Sequence, residues 1–171
     1  KITIAIDAMG GDNSPDKTIK GVKIFLEKYS LQNDFVLNLF GVDEEIRNTL
    51  KKYNISSDSI NIINSETVVS DEETPLTAVK NSKGTSMWNC IKHQLDGKSD
   101  ISLSAGNTGV LLVISRMILK MMNEVSKPAL AGLWPNQHGV NVVLDLGANI
   151  ECNDQNLVDF AELGSALFKS L

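Results

Sequence analysis

The stretch Ile101-Ser102-Leu103-Ser104-Ala105-Gly106-Asn107-Thr108-Gly109-Val110 passes from a strand-like segment over residues 101–104, through a small polar turn, into a helix. Beyond the turn, Val110, Val113, Ile114, Met117, Ile118, Met121 and Met122 recur at spacings of three and four, the pattern of an apolar helix face. Strand, glycine turn and helix in immediate succession form the repeating unit of an α/β fold.

Working outward, residues 2–6, 35–40 and 60–63 are β-favouring runs, each followed by Gly, Asp, Asn or Ser, and read as buried strands. Ser14-Pro15-Asp16 offers an N-cap, a proline for the first helical position and an early acid, and Ile19, Val22, Leu26 and Tyr29 follow at helical spacing. Asp43 heads a short helix carrying Ile46, Leu50 and Tyr53. Thr74-Pro75 opens another after the acidic Asp71-Glu72-Glu73, and a break at Gly84 precedes a helix with Trp88, Ile91 and Leu95 on one face. Residues 129–133 and 140–144 read as two strands joined by 134–139, a link short enough for an antiparallel hairpin. The last segment, 154–171, reads as a helix with Leu157, Phe160, Ala161, Leu167 and Leu171 inward. The expectation is a single α/β domain over residues 1–171, a three-layer sandwich whose sheet is mostly parallel, covered on both faces and mixed through the late hairpin. No internal repeat, low-complexity linker or composition shift divides the chain.

The 171 residues carry 16 Lys plus Arg against 21 Asp plus Glu, a net charge of -5, with 42% apolar and 22% charged residues. That is enough apolar material for a core, and it excludes a disordered tail and a membrane-spanning chain, whose helix needs ~18 or more consecutive apolar residues. The acidic balance argues against bare nucleic acid as partner, because that affinity comes from Lys and Arg neutralising phosphates. Cys90 and Cys152 are too few for a disulfide framework and lack zinc-site spacing, so a reducing cytoplasm is expected. The opening residues do not read as a secretory signal.

Three of the strands end in small glycine-containing polar loops: Asp7-Ala8-Met9-Gly10-Gly11-Asp12, Ser104 to Gly109, and Asp145-Leu146-Gly147-Ala148-Asn149. In a parallel sheet such loops gather at one edge, where α/β proteins place ligands. Gly106 and Gly109 let backbone approach a ligand, and the helix that follows points unpaired N–H groups and its positive end at the same spot. Ser104, Asn107 and Thr108 add uncharged hydroxyl and amide groups, which suits a phosphate or a developing oxyanion. A turn kept glycine-rich only for close packing explains the same letters. The dinucleotide fingerprint G-x-G-x-x-G fails at Ser104 and no Walker A pattern occurs, so nucleotide binding has no direct signal.

Asp7 and Asp145, at strand ends, are expected to support their own turns rather than to react. His93, His138 and the pair Cys90 and His93 form no recognisable triad and read as structural. The acidic trio Asp71 to Glu73 suits the start of the helix that follows it. No residue is assigned as general base and no metal site is expected. The Met-rich helix after Gly109 reads as a central core helix, with a subunit interface as second choice.

Taken together, I-D-A-M-G-G-D at Ile6 to Asp12, S-A-G-N-T-G at Ser104 to Gly109, P-A-L-A at Pro128 to Ala131 and D-L-G-A-N at Asp145 to Asn149, with Cys152 after it, resemble the PlsX family, the acyl-acyl carrier protein:phosphate acyltransferases of bacterial phospholipid synthesis. Thr85-Ser86-Met87 resembles the family's Ser-Ser-Met. Lys80 stands where the family usually has Arg, Ser82 where it has Lys, Gly84 where it has an acid, and Trp134-Pro135-Asn136 where it has Leu-Pro-Thr. The resemblance covers nearly all of this chain but only the N-terminal half of a family member.

The resemblance implies a fold like the phosphotransacetylases and the isocitrate and isopropylmalate dehydrogenases. It implies transfer of a fatty acyl group from acyl carrier protein to inorganic phosphate, giving acyl phosphate, without a cofactor, in a homodimer that is cytoplasmic and peripheral at the inner face of the membrane. Phosphate is then itself the nucleophile, so the absence of a Ser-His or Cys-His pair is expected. Ser104, Gly106, Asn107, Thr108 and Gly109 would bind phosphate, with Gly147 and Asn149 facing them and Gly10, Gly11 and Asp12 bordering the cleft. Arg116, Lys120 and Lys127 would steer the acidic carrier protein. Three other readings stay open: a coenzyme A-dependent phosphotransacetylase-like transferase, a nicotinamide-dependent dehydrogenase of related fold, and a catalytically silent binding domain.

Overall fold

Along β1 (Ile2–Asp7), alternation sets the layering: Ile4 and Ile6 point to one face of the sheet, Ala5 and Asp7 to the other. A computed structural model describes residues 1–29, 34–70, 74–137 and 139–171. In chain order the elements are β1, α1 (Asp16–Lys28), β2 (Phe35–Gly41), α2 (Asp43–Lys52), β3 (Ile60–Asn64), α3 (Pro75–Asn81), α4 (Ser86–Leu95), β4 (Ile101–Ser104), α5 (Thr108–Leu119), β5 (Ala131–Asn136), β6 (Gly139–Leu144) and α6 (Asp154–Ser170). They fall into two compact units, Lys1–Leu119 and Lys120–Leu171.

The first unit is an α/β sandwich around a parallel four-stranded sheet of order β3-β2-β1-β4. Ile4 lies opposite Leu37 on one side and Ile101 on the other, and this in-phase register puts all apolar rows on matching faces. On one face Ile6, Leu37 and Leu39 pack against Ile19 and Val22 of α1 and Ile46 and Leu50 of α2. On the other, Ala5 and Phe40 meet Cys90 of α4. Met87 and Ile91 of α4 then pack on Ala78 of α3 and on Val110, Ile114 and Ile118 of α5. Ile19 and Leu39 are wholly buried, so truncation of either to Ala costs about 2–5 kcal/mol.

Several helix faces differ from the sequence expectation. Ser14 does not cap α1, because its hydroxyl donates instead to the carbonyls of Gly10 (2.6 Å) and Gly11 (2.8 Å); the capping position is Pro15, without a side-chain cap. In α4 the inner face is Met87, Cys90 and Ile91, and Leu95 is exposed. In α5 a single stripe, Val110, Ile114 and Ile118, is buried, while Met117 and the following Met122 are exposed, so this helix covers the core from one side rather than running through it. Thr74 caps α3 with a proline at the first helical position, as its sequence reads. Asp71, Glu72, Glu73 and His138 lie outside the described residues.

In the second unit β5 and β6 form an antiparallel two-stranded sheet of their own, from Ala131 opposite Leu144 to Asn136 opposite Gly139. The expected link Trp134-Pro135-Asn136 is part of β5. A strand in a two-stranded ribbon has an open side, so Pro135, which cannot donate, is tolerated opposite Val140. Asn153 caps α6 reciprocally with Asn156, at 2.9 and 3.1 Å. Of the expected inward stripe on α6, Phe160 is buried together with Asn156 and Asp159, whereas Leu157, Ala161 and Leu171 are exposed. The rotation follows from Gly164, whose missing side chain lets Leu144 approach: a Cβ there would lie 2.7 Å from Leu144 Cδ1.

Candidate functional site

The strand order reverses beside β1: the chain steps outward to β2 and β3, then returns to the opposite side of β1 for β4. Adjacent parallel strands whose connections leave for opposite faces open a crevice at their C-terminal ends. Here that crevice is a cleft of about 660 Å³ lined by Gly10, Gly11, Asp12, Lys17, Thr18, Ala105, Gly106, Asn107, Thr108 and Gly109. The loops read from the sequence after the first and fourth strands therefore meet in one cavity.

Below the cleft, Ser104 Oγ donates to Asp7 Oδ2 at 2.7 Å and accepts from the Gly106 N–H at 3.1 Å. Met9 N–H donates to Asp7 Oδ1 at 3.3 Å. Burial pushes the Asp7 carboxyl above the usual carboxylate range, more than the hydroxyls of Ser86 and Ser104 and the N–H groups of Met9 and Gly10 lower it. Ser86 Oγ is near this carboxylate but makes no hydrogen bond among the described residues.

Gly10 covers this group so closely that a Cβ would sit 2.6 Å from Asp7 Oδ2, 2.8 Å from Ser104 Oγ and 2.9 Å from Gly106 N. Gly11 has φ +86° and backs onto the Ala105 carbonyl, where a Cβ would stand at 2.6 Å. Both glycines are thus required by contact between the two loops, and Gly11 also by its left-handed backbone.

Further donors lie at the helix starts. Asn107 Oδ1 accepts from Val110 N–H at 3.1 Å, which caps α5, and the Asn107 carbonyl accepts from Leu111. The N–H groups of Thr108 and Gly109 meet no acceptor among the described residues, nor does that of Thr18 in α1. Two helix N-termini therefore border one cavity with backbone donors unspent, a setting that favours negative charge. Ser104 and Gly106 reinforce the loop from beneath, with the serine proton committed to Asp7. Lys17 and Thr18 join the cleft although neither carries a glycine-loop signal in the sequence. The helix-start argument used for residues 104–109 applies equally to the helix after Gly11, and that signal would have found them.

A second, apolar cavity of about 410 Å³ adjoins the first through Thr18 and Ala105 and is lined by Ile4, Ile6, Val22, Phe25 and Leu103 among others. Cys90 is buried beneath the sheet, and burial together with the Asp7 charge pushes its thiol up to about 12. His93 Nδ1 pairs with Ser99 Oγ at 2.7 Å, and burial lowers its pKa. Ser82 is fully buried with no hydrogen-bond partner for its hydroxyl among the described residues, and Lys80 is exposed on α3.

Gly147 and Asn149 belong to the second unit. There Asp145, at φ +59°, organises its own turn: Oδ1 accepts from Asn149 N–H at 3.2 Å and from Asn149 Nδ2 at 2.7 Å. Asn149 Nδ2 also donates to the Pro128 carbonyl at 2.8 Å, and exposed Cys152 places Sγ 3.9 Å from Asp145 Oδ2. Lys127 donates to the Glu151 carbonyl, and Arg116 is exposed in the last turn of α5. Among the described residues no group of three or more His, Cys, Asp and Glu could hold a metal ion, and no helix is long and apolar enough to cross a membrane.

Comparison with known proteins gives this geometry a context. The model of a family described as "Fatty acid synthesis protein" matches residues 2–171. A phosphate acyltransferase of Pelagibacter ubique (strain HTCC1062) is 48% identical over 170 residues, 99% of this chain and 50% of that protein. Phosphate acyltransferases of Bartonella henselae and Chelativorans sp. are 39% and 37% identical over 171 residues, covering 99% of this chain and 47% and 48% of those proteins. The chain spans about half the length of the curated relatives it matches. A family model running from residue 2 to residue 171, and the alignment of these relatives along nearly every residue, establish that the chain belongs to the fatty acid synthesis protein, or PlsX, family.

Proposed function

We infer that this chain carries the phosphate-binding part of an enzyme that transfers a fatty acyl group from acyl carrier protein to inorganic phosphate. The observation that carries the reading is the cleft between β1 and β4, where unspent N–H groups of Thr108, Gly109 and Thr18 border one cavity. In the reaction a phosphate oxygen attacks the thioester carbonyl and the carbon–sulfur bond breaks. The proton of hydrogen phosphate passes to the departing thiolate, leaving acyl phosphate and free carrier thiol. No protein nucleophile is needed, in keeping with a Cys90 thiol that is buried and held protonated. The work left to the chain is to hold the anion beside the thioester and to stabilise the oxyanion, which backbone N–H groups do well. Gly147 and Asn149 serve their own turn in this reading, with their donors spent on Asp145 and the Pro128 carbonyl, and the active form is a homodimer at the inner membrane face.

Phosphate titrated into wild type and into the Asn107→Ala, Thr108→Ala double variant tests the site: weaker binding by the variant supports the assignment, and equal affinity removes it. Phosphate-dependent release of free thiol from acylated carrier protein, with a full-length relative in parallel, tests the reaction. Offering acyl-coenzyme A in the same assay separates the two thioester donors.

A further inference from the structure

The cleft is lined by one cationic side chain, Lys17. Lys17 lies in the first turn of α1, where the helix dipole favours an anion rather than a cation. Its neighbour Asp16, which would be the natural compensating charge, is taken: Asp16 accepts from Lys20 (2.8 Å), Lys52 (2.7 Å) and the Tyr53 hydroxyl (2.7 Å). Those contacts hold its carboxyl well below the usual carboxylate range. Lys17 has no ion-pair partner among the described residues, and it is the sole cation among the residues lining the cleft. Asp12 is the only acid there, and it is exposed. The ammonium therefore adds to the field of two helix starts in the same cavity, three positive sources against one exposed carboxylate.

We propose that Lys17 is a binding residue of the cleft, the counter-charge that makes it prefer a doubly charged oxyanion over a singly charged one. The proposal rests on the phosphate reading above and adds a residue from α1 to a site otherwise built on backbone. A nearby ammonium adds to the N–H dipoles an attraction that grows roughly in proportion to the charge it faces. Because Lys17 is exposed, the gain is that of a surface pair and falls with salt.

The test is calorimetric titration of inorganic phosphate, sulfate and acetate into wild type, Lys17→Gln, Lys17→Arg and Lys23→Gln at low ionic strength, with thermal melts to confirm folding. Lys23 is on the same helix and pairs with Glu27, so its variant removes the same charge away from the cleft. The expected result is that Lys17→Gln binds phosphate and sulfate roughly three- to tenfold more weakly while acetate changes little, with Lys17→Arg and Lys23→Gln near wild type. Wild type that binds phosphate as tightly as Lys17→Gln overturns the proposal and leaves the phosphate reading standing. Equal losses in Lys17→Gln and Lys23→Gln overturn it too, as a net-charge effect. Wild type that binds none of the anions overturns the phosphate reading itself.

Discussion

The Ser104 hydroxyl donates to the Asp7 carboxylate at 2.7 Å between two adjacent parallel strands whose sequence positions are 97 apart. The same oxygen takes the Gly106 N–H, so one side chain ties a strand end to the loop that lines the cleft.

Asp7 should impose a pH dependence on stability. Its carboxyl is raised by burial, so the folded state binds a proton more tightly than the unfolded state does. Its stabilising contribution is complete below the unfolded pKa of about 3.9 and declines as pH rises through the folded value. Asp7→Asn removes this term while keeping an oxygen for Ser104. Measured by thermal melts, the variant should gain on wild type as pH is raised from about 4 to 7; a difference that stays constant would show that the buried carboxyl does not titrate there.

Two glycines of similar appearance should respond oppositely to alanine. Gly10→Ala places a methyl within 3 Å of Asp7, Ser104 and Gly106 and should cost about 1–3 kcal/mol, with loss of phosphate binding. Gly21, inside α1, has open space where its Cβ would go, so Gly21→Ala should stabilise by about 0.4–1 kcal/mol. Denaturant titrations of both variants give the comparison.

Capping and ligand binding can be separated at Asn107. Asn107→Ala loses the bond from Val110 N–H and should cost about 1 kcal/mol of stability. Asn107→Asp keeps an acceptor at the positive end of α5 and should retain the stability, yet it puts a negative charge on the cleft wall. Its melting temperature should match wild type while its phosphate affinity falls.

The two thiols should be distinguishable chemically. Cys152 is exposed, and Cys90 is buried with its pKa pushed up to about 12. A colorimetric thiol reagent at pH 8 should consume one equivalent quickly in the folded protein and two in denaturant. Two fast equivalents from the native protein would contradict the packing of Cys90 against Ala5 and Phe40.

The strands and the two cleft loops of the first unit were legible because periodicity and glycine placement are local signals: residues 101–109 announce a strand, a turn and a helix start without help from elsewhere. Rotation of helices about their axes was less so. Leu157 and Leu95 carry the right spacing for an inner face, but the partner decides which stripe is used, and Leu144 against Gly164 turns α6 by contact geometry that no spacing encodes. Ser14 has the letters of a cap and is drawn off by two carbonyls of the preceding loop. The internal engagement of Gly106 by Ser104 is equally invisible in the sequence, since it depends on β4 lying beside β1.

Because β4 pairs with β1 only after β2 and β3 have been laid down on the other side, the cleft closes a loop of nearly the whole first unit. Such distant closure is entropically expensive and is expected late in folding. On the proposed reading, anion affinity would report complete assembly: a nascent chain still lacking residues 104–109 has the helical layer over β1 and β2 but only one wall of the cleft.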